Sequence, residues 1–534
     1  MGGAKGSKVV ITTRTNMVAE ITSAISPYFL KGLSRDQSWS LLRKMAFKKG
    51  QETINSNLET IGMDIVEKCQ GVPLAIKIIG RVLNHKKTEA EWSYIKNIEL
   101  TKVPKLKDGI MPVLKLSYDH LPPHLKCCFA YCSLFPKDYL IDKLTLIQLW
   151  IAQGFIQLPD ENLLLVDVAD DYFKELLWRS FFQEAEEDGG KNRRFKMHDL
   201  IHDLAQYVSE TDCTLVDSNA KNVKEKGHHL SFQFYNVSFF EENLSKLVKA
   251  NKIRTFILVY DNWAYKRGRI EESTLEKLIS SFRFLRALDL HSLNMKILLD
   301  TIGTLMHLKY LDLSSNDIEV LPSSITKLVN LQTLKLCECG ELRELPVDIQ
   351  KLVSLKHLDI DDCWNLTHMP CGLGQLTSLQ TLNLFVVSEG PVASSKHCGG
   401  LAELNKLNDL RGKLEIKNLA WVKDASSEFK AANLKEKQHL SELELSWNLE
   451  GDDAVDTCDD ENSMDGLQPH RSLKSLKMDG YMGVRFSSWL LSLTNLVELR
   501  IWNCKKCQYL PPLYQLPTLR VLEIWGMHGL EYMT

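Results

Sequence analysis

A multi-domain α+β chain, mixed and largely helical over residues 1–210 and a repeat solenoid beyond about residue 281, follows from three observations. Six-residue apolar blocks recur at an even spacing through the second half. A single short β-type run, KVVITT, opens the chain and is followed by helical periodicity. Between them, apolar positions at helical spacing lie on either side of Gly71-Val72-Pro73.

The repeat is the strongest of these signals. LRALDL begins at Leu285, LKYLDL at Leu308, LQTLKL at Leu331, LKHLDI at Leu355 and LQTLNL at Leu379, with spacings of 23, 23, 24 and 24. LKSLKM at Leu473, LVELRI at Leu496 and LRVLEI at Leu519 resume it at 23. LRGKLEI and HLSELELSW mark longer units between the two sets. This is the leucine-rich-repeat pattern, in which each unit adds one strand to a curved parallel sheet. Eight residues after the first leucine of a block stand Asn316, Cys339, Cys363 and Cys504, where an inward side chain can satisfy the bend after the strand. That placement makes Cys504-x-x-Cys507 a structural feature rather than half of a zinc site. In the repeat frame, Phe385, Trp502 and Trp525 fall at one equivalent concave position, where such side chains suit either a partner-binding surface or cover against the loop tips.

In the first part, Pro73 lacks an N–H and disfavours helix in the residue before it, so "ETIGMDIVEKCQGVPLAIKIIGRVL" reads helix, tight break, helix. In "MHDLIHDLAQYV", Met197, Ile201, Leu204 and Val208 share one helical face. His198 and His202 are four apart, but no Glu follows His198 as a zinc-protease helix requires. Cys128 and Cys132 fall on one helical face and read as core, as do Trp39 and Trp150. Residues 215–280 are poorly patterned and read as the cover for the open end of the solenoid. NLEGDDAVDTCDDENSMD carries eight carboxylates without calcium-loop spacing and reads as a solvated insertion.

Composition narrows the function. The 534 residues are 44% apolar and 25% charged, with a net charge of −3. That balance leaves no electrostatic footprint for nucleic acid. No apolar run approaches the roughly 20 residues of a membrane helix, and no secretory layout opens the chain. Thirteen scattered cysteines suit a reducing, cytoplasmic setting. The glycines of "MGGAKGSKVVITTRT" precede the strand, whereas a Walker A loop, G-x-x-x-x-G-K-[ST], follows one and opens a helix. No other segment fits that pattern, and no hydrolase is expected. The strand instead ends in Thr12-Thr13-Arg14, where an arginine can meet a terminal phosphate beyond a sheet's carboxyl edge.

Read in order, "GSKVVITTRT", "YFLKGLSRDQSWSLLRKMAF", "GVPLA", "CCFAYCSLFPKDY", "LIQLWIAQGFI" and "MHDLIHDLA", followed by the repeats, resemble the plant NB-ARC leucine-rich-repeat disease-resistance proteins. "CFAYCSLFPKD" is similar to the coiled-coil branch. The resemblance implies a remnant of a P-loop NTPase sheet (1–45), a helical domain (46–105), a winged-helix domain (106–214), a linker and cap (215–280) and the solenoid (281–534). It implies an immune receptor switched by ADP and ATP, with magnesium in the intact protein. Arg14 would contact the γ-phosphate, Pro73 would pack against the adenine ring and His198 would reach the β-phosphate of ADP, with Thr13, Gly71 and Leu74 also among the nucleotide-binding residues. Partners would be a pathogen effector or a guarded host protein, or a full-length relative for which this chain acts as decoy. In relatives the Walker motifs and coiled coil precede "GGAKGSK", so the chain reads as truncated at both ends, with weak nucleotide binding. The alternative is a repeat scaffold or decoy without nucleotide switching.

Overall fold

The computed structural model describes residues 10–13, 16–22, 28–47, 56–86, 88–99, 110–160, 163–185, 194–216, 227–233, 240–242, 244, 252–260, 270–389, 398–422, 424–447 and 463–533. Two compact units form, Met1–Leu121 with Trp178–Ser180, and Pro122–Leu177 with Phe181–Thr534.

The first unit is helical. Helix Arg35–Ala46 starts at a capping box: the Gln37 N–H donates to Ser34 Oγ at 3.3 Å, and the Ser34 N–H donates to Gln37 Oε1 at 3.1 Å. Two of the orphan donors at the helix start are thereby satisfied. Helices Ser56–Lys68, Pro73–Asn84 and Met111–Asp119 surround a core that includes Leu42, Ile65, Ile79, Val82 and Trp92. Of the expected strand Lys8–Thr13, the described part, Val10–Thr13, forms none. A strand needs another to pair with, and these residues join none of the sheets described.

The second unit begins with a three-stranded antiparallel sheet of Ile141–Asp142, Arg194–Lys196 and Gln183–Glu184, with helices Pro123–Tyr131, Lys143–Gln153, Leu165–Trp178 and Asp199–Ser209. Trp150, Phe173 and Cys132 are fully buried in it, so the cysteines of 127–132 serve packing, with Cys127 alone exposed.

From residue 213 the chain coils into the solenoid. Eight parallel strands run from Cys213–Val216 to Thr381–Leu382, and the first three, within or beside the stretch read as cover, extend the repeat sheet itself. A second, six-stranded parallel sheet runs from Leu384–Val386 to Val521–Trp525. The inward leucines stack into one continuous core. The inward polar position behaves as its chemistry requires. Asn316 donates to the carbonyls of Leu290 and Leu313 at 3.0 and 2.8 Å and accepts from the N–H groups of Leu293 and Met295 at 3.1 and 3.0 Å. Cys339 and Cys363 donate Sγ–H to the carbonyls of Leu313 and Leu336.

One repeat departs from the sequence frame. The chain passes from the first sheet to the second at Asn383, between strands Thr381–Leu382 and Leu384–Val386. That break advances the alternation by one residue, so Phe385 pairs in register with inward-facing Ile416. It is fully buried, and the expectation that it lies on the concave surface is corrected.

Candidate functional site

The residues expected around a nucleotide divide between the two units, each described by itself. In the first, Gly71 sits at φ +70°, a left-handed backbone that favours glycine. A Cβ there would meet Leu33 O at 2.5 Å, because the Leu33 N–H donates to Gly71 O at 2.8 Å and draws the two backbones together. This close turn aims the next helix. Pro73 is its first residue, where its missing N–H leaves nothing unsatisfied. Ala75, Ile76, Ile79 and Val82 bury the inner face, leaving Pro73 exposed and Leu74 half-buried at the helix start. Two apolar side chains at an open helix start can take the face of a flat ring. Thr13 is exposed, and Arg14 lies outside the described residues.

In the second unit, His198 is the N-cap of helix Asp199–Ser209. Its Nδ1 accepts the Leu200 N–H at 3.2 Å, which places the proton of the neutral ring on Nε2. A half-buried imidazole thus stands at a helix N-terminus with one nitrogen fixed as acceptor and the other left to donate. Such a donor at the positive end of a helix suits a phosphate oxygen. One turn on, His202 differs: its Nε2 bonds Phe135 O at 2.8 Å, and burial lowers its pKa. It braces the fold, and no metal-binding cluster with His198 forms among the described residues.

A second set of polar residues went unread in the sequence, on the concave face of the first sheet. Asp289 holds His291 Nδ1 at 2.6 Å, Asp312 pairs with Lys335 at 3.4 Å, and Tyr310 donates to Asp312 at 2.9 Å. Burial raises the Asp289 carboxyl. Burial would raise Asp312 as well, but Lys335 and His291 outweigh it and hold that carboxyl below its usual range. This face receives the winged-helix domain: Lys335 Nζ donates to Thr145 Oγ1 at 3.1 Å, and Arg286 Nη1 to Gln153 O at 2.8 Å. Arg411 pairs with Asp167 at 2.9 Å further along. The signal was present in the blocks LRALDL, LKYLDL and LQTLKL, whose fifth position is Asp, Asp and Lys.

The second sheet presents the other concave face. Trp502 and Trp525 stand in register on neighbouring strands, as their repeat positions imply, and Trp525 is 69% exposed. Among the described residues no helix is long and apolar enough to cross a membrane.

A helical bundle with a three-stranded wing, joined to a parallel-sheet solenoid, defines a winged-helix leucine-rich-repeat protein. The family model for the disease resistance protein winged helix domain matches residues 134–205, and the R13L1/DRL21 leucine-rich-repeat model matches 401–527. Over 99% of its length the chain is 43% identical to disease resistance protein RGA2 and 39% identical to putative disease resistance protein RGA1, both of Solanum bulbocastanum. It is 36% identical, again over 99%, to a putative RPP13-like disease resistance protein of Arabidopsis thaliana. The chain spans about half the length of these relatives, 50% in each. Over the half of their length that it spans, the chain is similar to plant disease resistance proteins, and it matches their winged-helix domain and a leucine-rich-repeat model.

Proposed function

We propose that the chain is the switch-and-recognition part of a plant immune receptor that works in the cytoplasm. The observation that carries this is the tautomer of His198: an Nε2–H donor, fixed by Leu200, at the start of a helix. Pro73 and Leu74 would hold the adenine face, Arg14 and Thr13 would meet the γ-phosphate, and His198 would donate to the β-phosphate of ADP. The nucleotide, when bound, supplies a charge whose presence or absence rewards one arrangement of domains over another; a ligand shifts such an equilibrium only by its differential affinity. G-x-x-x-x-G-K-[ST] does not occur in this sequence, so the chain by itself is expected to hold ADP weakly and not to hydrolyse ATP. The second sheet would recognise an effector or a guarded host protein.

The test is transient expression in leaf of a receptor containing this chain, with His198→Ala against the parent. Loss of the phosphate donor should release the ADP-held state and give defence output without any effector. Output that still requires the effector would leave the chain as a binding scaffold without a nucleotide switch.

A further inference from the structure

The near-neutral total of the chain hides a separation of charge across the repeats of the first sheet. Before each strand the chain makes a tight turn, and four successive turns read SFRFLR (281–286), TLMHLK (304–309), KLVNLQ (327–332) and KLVSLK (351–356). None of the four contains a carboxylate. In each, the second and fifth residues are buried in the solenoid core. The N–H of the fifth donates to the carbonyl of the second, at 3.3 Å in the first turn and 2.9 Å in the other three. The two residues between these anchors are thereby held outward as a rigid knob. Asn330 Nδ2 ties neighbouring knobs together by donating to Met306 O at 2.9 Å.

These knobs are apolar where a solvated turn is normally polar. Phe284, Met306, Val329 and Val353 are 41 to 67% exposed, one in each turn. Around them stand exposed Arg283, Lys327 and Lys351, with exposed Arg254 and half-buried Lys309 toward the strands. Among the described residues no carboxylate pairs with Arg254, Arg283, Lys309 or Lys327, whereas Lys351 has Asp348. The cations crowd one another: burial and the Arg286 guanidinium together lower the Lys309 pKa. On the far edge, after the strands, the same repeats expose Asp317, Glu319, Glu338, Glu341 and Glu344 against Lys296 and Arg343. The pattern is bounded, for the next turn, Thr377-Ser378, is polar and the one after it, Asn408-Asp409, carries a carboxylate.

We propose that this turn edge, from Arg283 to Val353, docks the chain on an anionic lipid membrane. The apolar knobs enter the headgroup layer, and the cations around them pair with lipid phosphate. Such an interface rewards both kinds of side chain at once, each basic residue near an acidic surface being worth roughly fivefold in partitioning. Turns at one position of a regular repeat form a row, and a row of separate knobs suits a flat, fluid surface. A protein segment would need a hollow with matched walls, whereas here Asn330 and Ser354 sit between the knobs. The acidic far edge is repelled by the same surface, so one edge alone can face it.

The inference goes beyond the switch-and-recognition reading and rests on neither His198 nor the second sheet. In its test the purified chain is sedimented with vesicles of phosphatidylcholine alone or mixed with phosphatidylserine. Partitioning onto the acidic vesicles should be at least tenfold stronger, and raised salt should reverse it. R283Q/K327Q should weaken it at least tenfold and M306S/V353S roughly fivefold, with unchanged melting temperatures showing that both variants are folded. I297S/V320S is the control: these side chains are 56 and 49% exposed but lie after the strands, and their loss should leave partitioning unchanged. Equal partitioning onto the two kinds of vesicle, or a loss in I297S/V320S as large as in M306S/V353S, would overturn the proposal. No vesicle binding would overturn it as well, and capture of soluble poly-glutamate by the same residues would then give the edge to an acidic protein segment.

Discussion

At the scale of single residues, side chains that look interchangeable in a repeat do different amounts of work. Asn316 serves five backbone groups at a bend, whereas Cys339 and Cys363 at the equivalent position each donate to one carbonyl. A buried backbone group left without a partner costs about 1–3 kcal/mol, although neighbouring losses do not add in full. Asn316→Ala should therefore lower stability by about 3 kcal/mol in urea denaturation, and Asn316→Cys by less. Equal losses would show that the bend does not depend on the amide. His198 illustrates the same point for function. Its type and its place before an apolar helix were visible in the sequence, but which nitrogen is left to donate depends on the Leu200 N–H and needed coordinates.

Elements show where a sequence frame holds and where it slips. Even spacing located the strands from Leu285 to Leu382 and from Ser475 to Trp525, because a strand-and-bend repeat tolerates little change in length. It failed at Phe385, since a single residue between two sheets, Asn383, turns the alternation over and has no compositional mark. It was silent at His229–Gln233 and Thr255–Val259, where strands buried on both faces lack alternation. The break at Gly71 was legible for the opposite reason: only a few residue types allow such a turn. Gly71→Ala, at φ +70° and with 2.5 Å to Leu33 O, should destabilise the first unit by on the order of 3 kcal/mol, visible as a lowered melting temperature. A melting temperature within one degree or so of the parent's would mean that the turn relaxes freely.

For the molecule as a whole, the solenoid has two concave faces with different employment. The first, with Asp289, Asp312 and Lys335, is occupied from within by the winged-helix domain, and the second faces outward with its tryptophans. The first face also sets a pH limit. Burial lowers the pKa of His357, in the same sheet, from 6.5 to about 4, and burial lowers His229 in the same direction. A histidine with a depressed folded pKa binds its proton more readily in the unfolded chain. Its contribution to stability is thus present above pH 6.5 and is lost as pH falls toward 4. Urea midpoints should fall between pH 7 and pH 5, and His357→Gln should flatten that slope; a slope unchanged by the substitution would place the acid sensitivity elsewhere. The switch itself is tested most directly by titrating ADP into the purified chain and into His198→Ala by calorimetry. The reading developed above requires weak binding, with a dissociation constant of about 100 µM or higher, weakened roughly tenfold further without the imidazole, a difference of about 1.4 kcal/mol. Stoichiometric ADP retained through purification, or an affinity indifferent to His198, would contradict it.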